Sequence, residues 1–161
     1  MIRIALLPDL PEIVSIYNEA VEDRFATADL SPVTVEERAE WFREHDPSTF
    51  PIYVFEEGQV EGWCSLSAYR RGREALSGTA EVSYYVRRTA RGRGVGSSLV
   101  RHAVAEAPRL GKRVLFGIVL ERNAASTRLL ERCGFALWGR LPEVALIDGE
   151  LVGHLYYGRK A

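Results

Sequence analysis

A glycine-rich segment at positions 91–96, with the sequence Arg-Gly-Arg-Gly-Val-Gly, constrains the fold of this chain more than any other feature. It follows a β-branched and aromatic run, Glu81 to Val86, and precedes apolar residues from Leu99 to Val104 at helical spacing. Glycines permit positive φ angles and let a ligand approach the backbone closely. The unpaired amides and the dipole at a helix start attract anions. The segment therefore predicts a strand–turn–helix unit whose turn cradles an anion such as a pyrophosphate.

The remaining residues predict helices and strands in mixed order. Thr34 with Glu37, and Asp9 with Glu12, are spaced like capping boxes that open the first two helices. Asn123 is placed to begin the last helix, which would be followed by strands that meet at a hairpin turn, Asp148-Gly149. The predicted order is strand, two helices, three strands, helix, strand, helix and two strands. We therefore expect residues 1–161 to form one α+β domain, with about four helices flanking a mixed, mostly antiparallel sheet of about seven strands.

Composition excludes several classes of protein. The 161 residues carry a formal net charge of −1, whereas nucleic-acid binders usually have a strongly basic domain. No apolar run approaches the ~20 residues that span a bilayer, and Met1 to Ala5 do not begin a signal peptide. Cys64 and Cys133 form no C-x-x-C pair, and the three histidines are scattered. We expect a cytoplasmic protein with reduced thiols, no metal site, and no nucleic-acid or membrane partner.

Three kinds of anion site are distinguished by their spacing. A Walker A loop needs Gly-Lys-Ser/Thr, which is absent. A dinucleotide fingerprint needs an acidic residue ~20 positions downstream, and Phe116 stands there. The third is the acetyl-coenzyme A loop of the GCN5-related N-acetyltransferases (GNAT), which has Gln or Arg, two residues, Gly, one residue, then Gly or Ala. Arg91, Gly94 and Gly96 match that pattern, so the chain resembles this family, and the resemblance implies acetyl-coenzyme A as cosubstrate.

A second motif strengthens the resemblance. Asn123 to Ser126, followed by Leu129 to Phe135, looks like the family segment whose asparagine helps to hold the pantetheine arm. Nearly the whole chain is similar to one branch, the phosphinothricin and methionine sulfoximine acetyltransferases. That similarity is carried by both motifs and by short matches in the right order, namely Ile16-Tyr17-Asn18, Ser31 to Thr34, Trp41-Phe42 and Glu81 to Val86.

The resemblance also implies site residues. In that branch the glutamate corresponding to Glu81 is the proposed general base, and arginines corresponding to Arg73, with Arg71 nearby, hold the substrate's carboxylate. Such a base is needed because an ammonium ion cannot attack a thioester until it loses a proton. Leu30 stands at a substrate-pocket position. The expected cofactor contacts come from the backbone after Glu81, the glycine-rich loop and the second motif: Tyr84, Tyr85, Val86, Arg91, Gly92, Arg93, Gly94, Val95, Gly96, Ser97, Asn123 and Ser126.

The chain also departs from the branch. Leu30 and Leu76 replace aromatic residues, and positions 149–153 lack a tryptophan found there. We therefore expect a less aromatic pocket that accepts a different amine. Leu130 stands where many family members place a tyrosine that protonates the leaving thiolate, so water or another tyrosine would have to serve, or protonation is unassisted.

The leading hypothesis is an N-acetyltransferase that acts on the primary amine of a small molecule, an amino acid or an analogue, and forms a homodimer as the branch does. Two alternatives stay open at this point. One is acetylation of a protein N-terminus or lysine, against which the arginine-rich loop after Tyr69 argues. The other is a non-catalytic acetyl-coenzyme A sensor, because an intact cofactor loop alone does not establish turnover.

Overall fold

A computed structural model describes all of residues 1–161. Four helices and seven strands follow the predicted order, and no helix is long and apolar enough to cross a membrane. The helices are α1 (Leu10–Asp23), α2 (Val35–Arg43), α3 (Val95–Glu106) and α4 (Ala124–Arg132). The strands are β1 (Ile2–Ile4), β2 (Ile52–Glu57), β3 (Gln59–Ala68), β4 (Thr79–Val86), β5 (Val114–Leu120), β6 (Ala136–Ile147) and β7 (Glu150–Lys160). The predicted α+β class and mixed sheet are confirmed.

The strands form one sheet in the order β1-β2-β3-β4-β5-β7-β6, in which only β4 and β5 run parallel. This parallel pair is short, because it joins only Thr79 to Val114, Ala80 to Leu115 and Glu81 to Phe116. On its other side β4 stays paired with β3 as far as Val86. One edge of β4 is therefore free of a strand partner beyond Glu81, and a wedge opens between β4 and β5.

Helices cover the two faces of the sheet, and alternation along β4 divides its side chains between them. Ala80, Val82 and Tyr84 face the core formed with α3 and α4, whereas Tyr85 faces the core formed with α1. Glu81 lies on the same face as Tyr85, because side chains two or four positions apart in a strand point to the same side. The base predicted from sequence therefore lies on the α1 face of the sheet.

Local signals for helix ends are mostly confirmed. The Thr34 hydroxyl accepts the Glu37 amide at 3.2 Å, and the Glu37 carboxylate accepts the Thr34 amide at 2.7 Å, as a capping box requires. Asn123 Oδ1 accepts the Ser126 amide at 3.1 Å. Asp148 and Gly149 both have positive φ, 51° and 84°, which is typical of a tight hairpin turn.

The predicted capping role of Asp9 is wrong. A short 3₁₀ turn over Leu7–Asp9 gives Asp9 helical backbone angles, and its side chain makes no cap bond to α1. Its carboxylate instead accepts two hydrogen bonds from Arg3, at 2.7 and 2.9 Å, and one from the Leu6 amide. The hydrogen bonds from Arg3 hold the pKa of Asp9 below its usual value. Asp9 thus ties β1 to the start of α1.

The contact between α4 and β5 yields a stability prediction. Leu130 is fully buried, and a Cβ added to Gly117 would lie 2.8 Å from both of its methyl carbons. Leu130→Ala should lower the free energy of unfolding by about 2–5 kcal/mol, because it leaves a cavity in a close-packed core. The same substitution at Leu7, which is 58% exposed, should change it by less than about 0.5 kcal/mol. Urea denaturation measures both, and equal effects would contradict this packing.

Candidate active site

A cavity of about 640 Å³ lies at the end of β4, beside the wedge. It brings together all the residues predicted to contact the cofactor except Arg93. It is lined by the segment Tyr84–Val86, by the rest of the glycine-rich loop, by Ser97 of α3, and by Asn123 and Ser126 of the second motif. The Tyr84 hydroxyl crosses from β4 to α4 and donates to the Ser126 carbonyl at 3.4 Å. Two motifs far apart in sequence therefore form one cavity.

The glycine-rich turn has the geometry expected of an anion cradle. Gly92 and Gly94 have φ angles of 77° and 86°, and a Cβ added at either would meet no atom within 4 Å. No side chain caps α3 at Gly94, so the first amides of the helix lack protein acceptors. These amides and the helix dipole fit the pyrophosphate of acetyl-coenzyme A.

Gly96 has a different role from the other two glycines. A Cβ added there would lie 2.9 Å from Leu129 Cδ1 and 3.3 Å from Val86 Cγ2. Its missing side chain therefore allows α3 to pack closely against α4 and β4. The last glycine of the motif sets the distance between elements that line the cavity.

The arginines of the loop are held by carboxylates of the protein. Arg91 pairs with Asp23 at 2.6 Å and also donates to the Val86 carbonyl. Arg93 pairs with Glu57 at 2.6 Å, and its side chain does not line the cavity. The predicted cofactor contact of Arg93 thus finds no support in its side-chain position.

Sequence reasoning missed several residues that line the same cavity. Three are arginines, Arg101 on α3 and Arg128 and Arg132 on α4. Arg128 and Arg132 are four residues apart after a predicted helix start. This spacing indicates that the two arginines lie on one face of the helix. Arg101 gave no comparable signal, because its proximity depends on how α3 packs against α4.

Glu81 lies beside Ser67 of β3 and Phe116 of β5 in the sheet. Burial raises the pKa of its carboxyl group, and no neighbouring charge or hydrogen bond offsets that effect. A carboxylate with a raised pKa is a stronger proton acceptor than that of an exposed glutamate.

A second cavity, of about 720 Å³, contains the predicted arginines. Arg71 and Arg73 line it, as do Leu76, Ser67 and Thr79. Ser67 is the strand partner of Glu81, and Thr79 lies two residues before Glu81 on the same face. Arg71 is paired with Glu44 at 2.9 Å, whereas no carboxylate pairs with Arg73.

Leu30 lies apart from this second cavity. It is on the exposed loop between α1 and α2, where its carbonyl accepts a hydrogen bond from Arg24 at 2.6 Å. The structure therefore brings Arg71 and Arg73 together and leaves Leu30 outside.

An aromatic cluster lies next to Glu81, and the sequence did not predict it. The Phe116 ring centre is 5.0 Å from that of Tyr69, 5.5 Å from Trp138 and 6.0 Å from Tyr156. These residues come from four different segments that meet across the sheet. None of these four rings lines the cavity that contains Arg71, Arg73 and Leu76, so the expectation of a less aromatic substrate pocket stays a prediction.

The sequence matches the model of the acetyltransferase (GNAT) family over residues 12–135. It is 42% identical to the YwnH protein of Bacillus subtilis, provisionally named a phosphinothricin acetyltransferase, over 99% of this chain and 98% of that protein. It is 37% identical to the L-methionine sulfoximine/L-methionine sulfone acetyltransferase of Pseudomonas aeruginosa, over 89% of this chain and 84% of that protein.

Solved structures agree over the whole fold. The YncA acetyltransferase of Salmonella typhimurium, solved with acetyl-coenzyme A, superimposes with a TM-score of 0.93 at 30% identity, covering 99% of this chain and 92% of that one. A ribosomal-protein-alanine N-acetyltransferase of Brucella melitensis superimposes with a TM-score of 0.94 at 34% identity, covering 100% and 99%. The chain therefore belongs to the GNAT family and is an acetyl-coenzyme A-dependent N-acetyltransferase.

Proposed function

We propose that this N-acetyltransferase acetylates the primary amine of a small amino acid or amino-acid analogue, of the phosphinothricin and methionine sulfoximine type. One observation carries the proposal: the partly buried carboxyl group of Glu81 has no charged partner and lies on β4 between Thr79, which lines the arginine-lined cavity, and Tyr84, which lines the cofactor cavity. The names of the YwnH and Pseudomonas relatives point to the same substrate class.

The spacing along β4 supports this division of roles. Thr79 lines the arginine cavity, and Tyr84 begins the part of the strand that lines the cofactor cavity. At a rise of about 3.3 Å per residue, Glu81 is roughly 7 Å from Thr79 and roughly 10 Å from Tyr84 along the strand. A small molecule can therefore reach Glu81 from one side while the acetyl donor occupies the other.

In this mechanism the Glu81 carboxylate accepts the proton of the bound ammonium ion, directly or through water. Its raised pKa makes it a stronger base than an exposed glutamate. Acetyl-coenzyme A supplies the acetyl group as a thioester. The free edge of β4 from Tyr84 to Val86 offers backbone amides to the oxygen that gains negative charge. Leu130 has no acidic proton, so the thiolate that leaves as the amide bond forms would take its proton from water or from a tyrosine elsewhere in the site.

The cofactor would be held mainly by backbone groups. The amides at the start of α3 take the pyrophosphate, with the hydroxyl of Ser97 nearby. Asn123 uses its carbonyl oxygen to cap α4, which leaves its side-chain NH₂ group free to donate to the pantetheine arm. Ser126 lies one turn further along the same helix, on the cavity wall.

Arg73 is the stronger candidate to bind a substrate carboxylate. Its guanidinium lines the arginine cavity without an ionic partner, and two parallel hydrogen bonds to a carboxylate suit this side chain. Arg71 would first have to exchange Glu44 for the substrate. A substrate role for Leu30 stays a prediction, since its loop would have to bring it nearer.

Acetylation of a protein N-terminus is the second candidate, favoured by the likeness to the Brucella enzyme. Release of coenzyme A, measured with free amino acids, methionine sulfoximine, phosphinothricin, polyamines and alanine-starting peptides, distinguishes the two. We expect turnover with the free amino acids or their analogues. Turnover with peptides alone would overturn the proposal, and binding of acetyl-coenzyme A without turnover on any amine would indicate a sensor.

Glu81→Gln should lower kcat/KM for the amine by about 10²–10⁴-fold, because glutamine cannot accept the proton. Acetyl-coenzyme A affinity, measured by calorimetry, should stay unchanged. The loss should shrink at high pH, where more of the amine is already neutral. Glu36→Gln, on the exposed face of α2, is the matched control and should behave like the wild type. Near-normal turnover with an unchanged pH profile would exclude Glu81 from the mechanism.

The stability of Glu81→Gln provides a second readout. Because folding raises the pKa of Glu81, the wild type loses stability as the pH rises through the folded-state pKa. The glutamine variant escapes that loss, so its melting temperature should exceed the wild-type value at neutral and higher pH. The two proteins should converge below the pKa of an exposed glutamate. A lower melting temperature at pH 7 would indicate a structural role.

Arg73→Ala should chiefly raise KM for amines that carry a carboxylate. The expected increase is about tenfold or more, because one charged hydrogen-bonding partner is worth about 1.5–3 kcal/mol. Amines without a carboxylate should be affected little. Steady-state kinetics with matched pairs, such as an amino acid and its decarboxylated amine, test this. Equal losses on both members of a pair would contradict carboxylate recognition.

We also propose a homodimer in the cytoplasm. The apolar side chains on the β6–β7 hairpin support the dimer, because Trp138, Val144, Leu146 and Leu151 are all about half exposed or more, and β6 is an edge strand. The free buried thiols of Cys64 and Cys133 accord with a reducing compartment. Sedimentation at micromolar concentration should give a dimer, and Leu146→Glu should shift it towards monomer. A monomeric wild type would refute the dimer.

A further inference from the structure

We infer that Arg101, Arg128 and Arg132 form a binding site for the 3′-phosphate of coenzyme A at the cofactor cavity. The inference rests on the cofactor site proposed above and adds a residue-level basis for preferring coenzyme A to its 3′-dephosphorylated form. The arginines near the cavity are of two kinds, those paired with carboxylates of the protein and those without such a partner.

The arginines closest in sequence to the glycine-rich loop are neutralised by the protein itself. Two regions supply the carboxylates, helix α1 and the β2–β3 hairpin. The ion pairs are Arg88 with Asp23 at 2.8 Å, Arg91 with Asp23 at 2.6 Å, and Arg93 with Glu57 at 2.6 Å, together with Arg87, which pairs with Glu12 and, at 3.7 Å, with Glu61. These ion pairs connect the loop to α1 and to the β2–β3 hairpin, and the first amides of α3 stay free to bind the ligand.

The three inferred arginines are different. Arg101, Arg128 and Arg132 all line the cavity, and none of them pairs with a carboxylate. They are therefore cationic side chains of the cavity that have no carboxylate partner within the protein. Unpaired arginines in a cavity that already has a cradle for a diphosphate point to a second anionic group on the same ligand.

The packing of α3 on α4 brings these arginines to one side of the cavity. Arg101 lies one turn after Ser97 on α3, and Arg128 and Arg132 share one face of α4. The helices approach closely at Gly96 and Leu129. Cys133, the C-cap residue of α4, also contacts α3, because its thiol donates to the Ser97 carbonyl at 3.9 Å.

The position relative to the cradle fits the chemistry of coenzyme A. Arg101 is seven residues beyond Gly94, or roughly 10 Å along the axis of α3. A ribose that follows the diphosphate at the start of α3 would carry its 3′-phosphate towards this part of the cavity. Guanidinium groups bind a phosphate dianion through paired hydrogen bonds, and their exposure at the cavity allows the phosphate to remain partly hydrated.

Calorimetric titration with coenzyme A and with 3′-dephospho-coenzyme A tests the inference. The wild type should bind coenzyme A roughly tenfold or more tightly, since each charged contact is worth about that factor. Arg128→Ala/Arg132→Ala, and separately Arg101→Ala, should lose most of this preference by weakening coenzyme A alone. Arg43→Ala, an exposed arginine at the end of α2, is the matched charge control and should keep the preference.

Two outcomes would overturn the inference. In one, the wild type binds both nucleotides equally. In the other, the arginine variants weaken both nucleotides by the same factor, which would assign these residues to the diphosphate or to general electrostatic attraction. Neither outcome bears on the amine, because these titrations contain none. Failure of the substrate proposal would appear separately, as absent turnover with amino acids in a protein that still distinguishes the two nucleotides.

Discussion

The short parallel pairing of β4 with β5 is the constraint on which the rest of the site depends. Only three residue pairs join the two strands before they separate, although each continues alongside its other neighbour. The backbone N–H and C=O groups of a strand in the middle of a sheet are normally hydrogen-bonded to the strands on both sides. Here one edge of β4 stays open towards a cavity, and that edge runs from Glu81 to the glycine-rich loop. Glu81, the open edge and the glycine-rich turn therefore follow one another along a single strand and turn.

Much of this arrangement was predictable because its signals are local. The strand–turn–helix unit, the Thr34–Glu37 capping box, the Asn123 cap and the Asp148–Gly149 turn each depend on residues within a few positions of one another. Asp9 shows the limit of such reasoning. Its spacing to Glu12 suits a capping box, yet a salt bridge to Arg3 and a 3₁₀ turn prevail. Local spacing does not reveal a competing partner that another segment supplies.

The features that escaped prediction all depend on tertiary packing. Phe116 and the three rings around it come from separate segments, and Arg93 turns towards Glu57 across a strand hairpin. The ion pairs of the glycine-rich loop also depend on distant segments, since Arg91 pairs with Asp23 of α1 and Arg93 pairs with Glu57 of β2. The arginine side chains of the loop are paired with carboxylates, whereas the first backbone amides of α3 have no protein acceptor.

The close fit between Leu130 and Gly117 has a consequence for how this enzyme can change over evolutionary time. A phenol ring at position 130 has no room while Leu130 is fully enclosed, and any side chain at position 117 would strike the leucine. A larger side chain at either position would require a compensating substitution at the other. A single substitution of Leu130 by tyrosine would therefore require the surrounding core to rearrange, and a side chain that protonates the thiolate would have to come from elsewhere in the cavity.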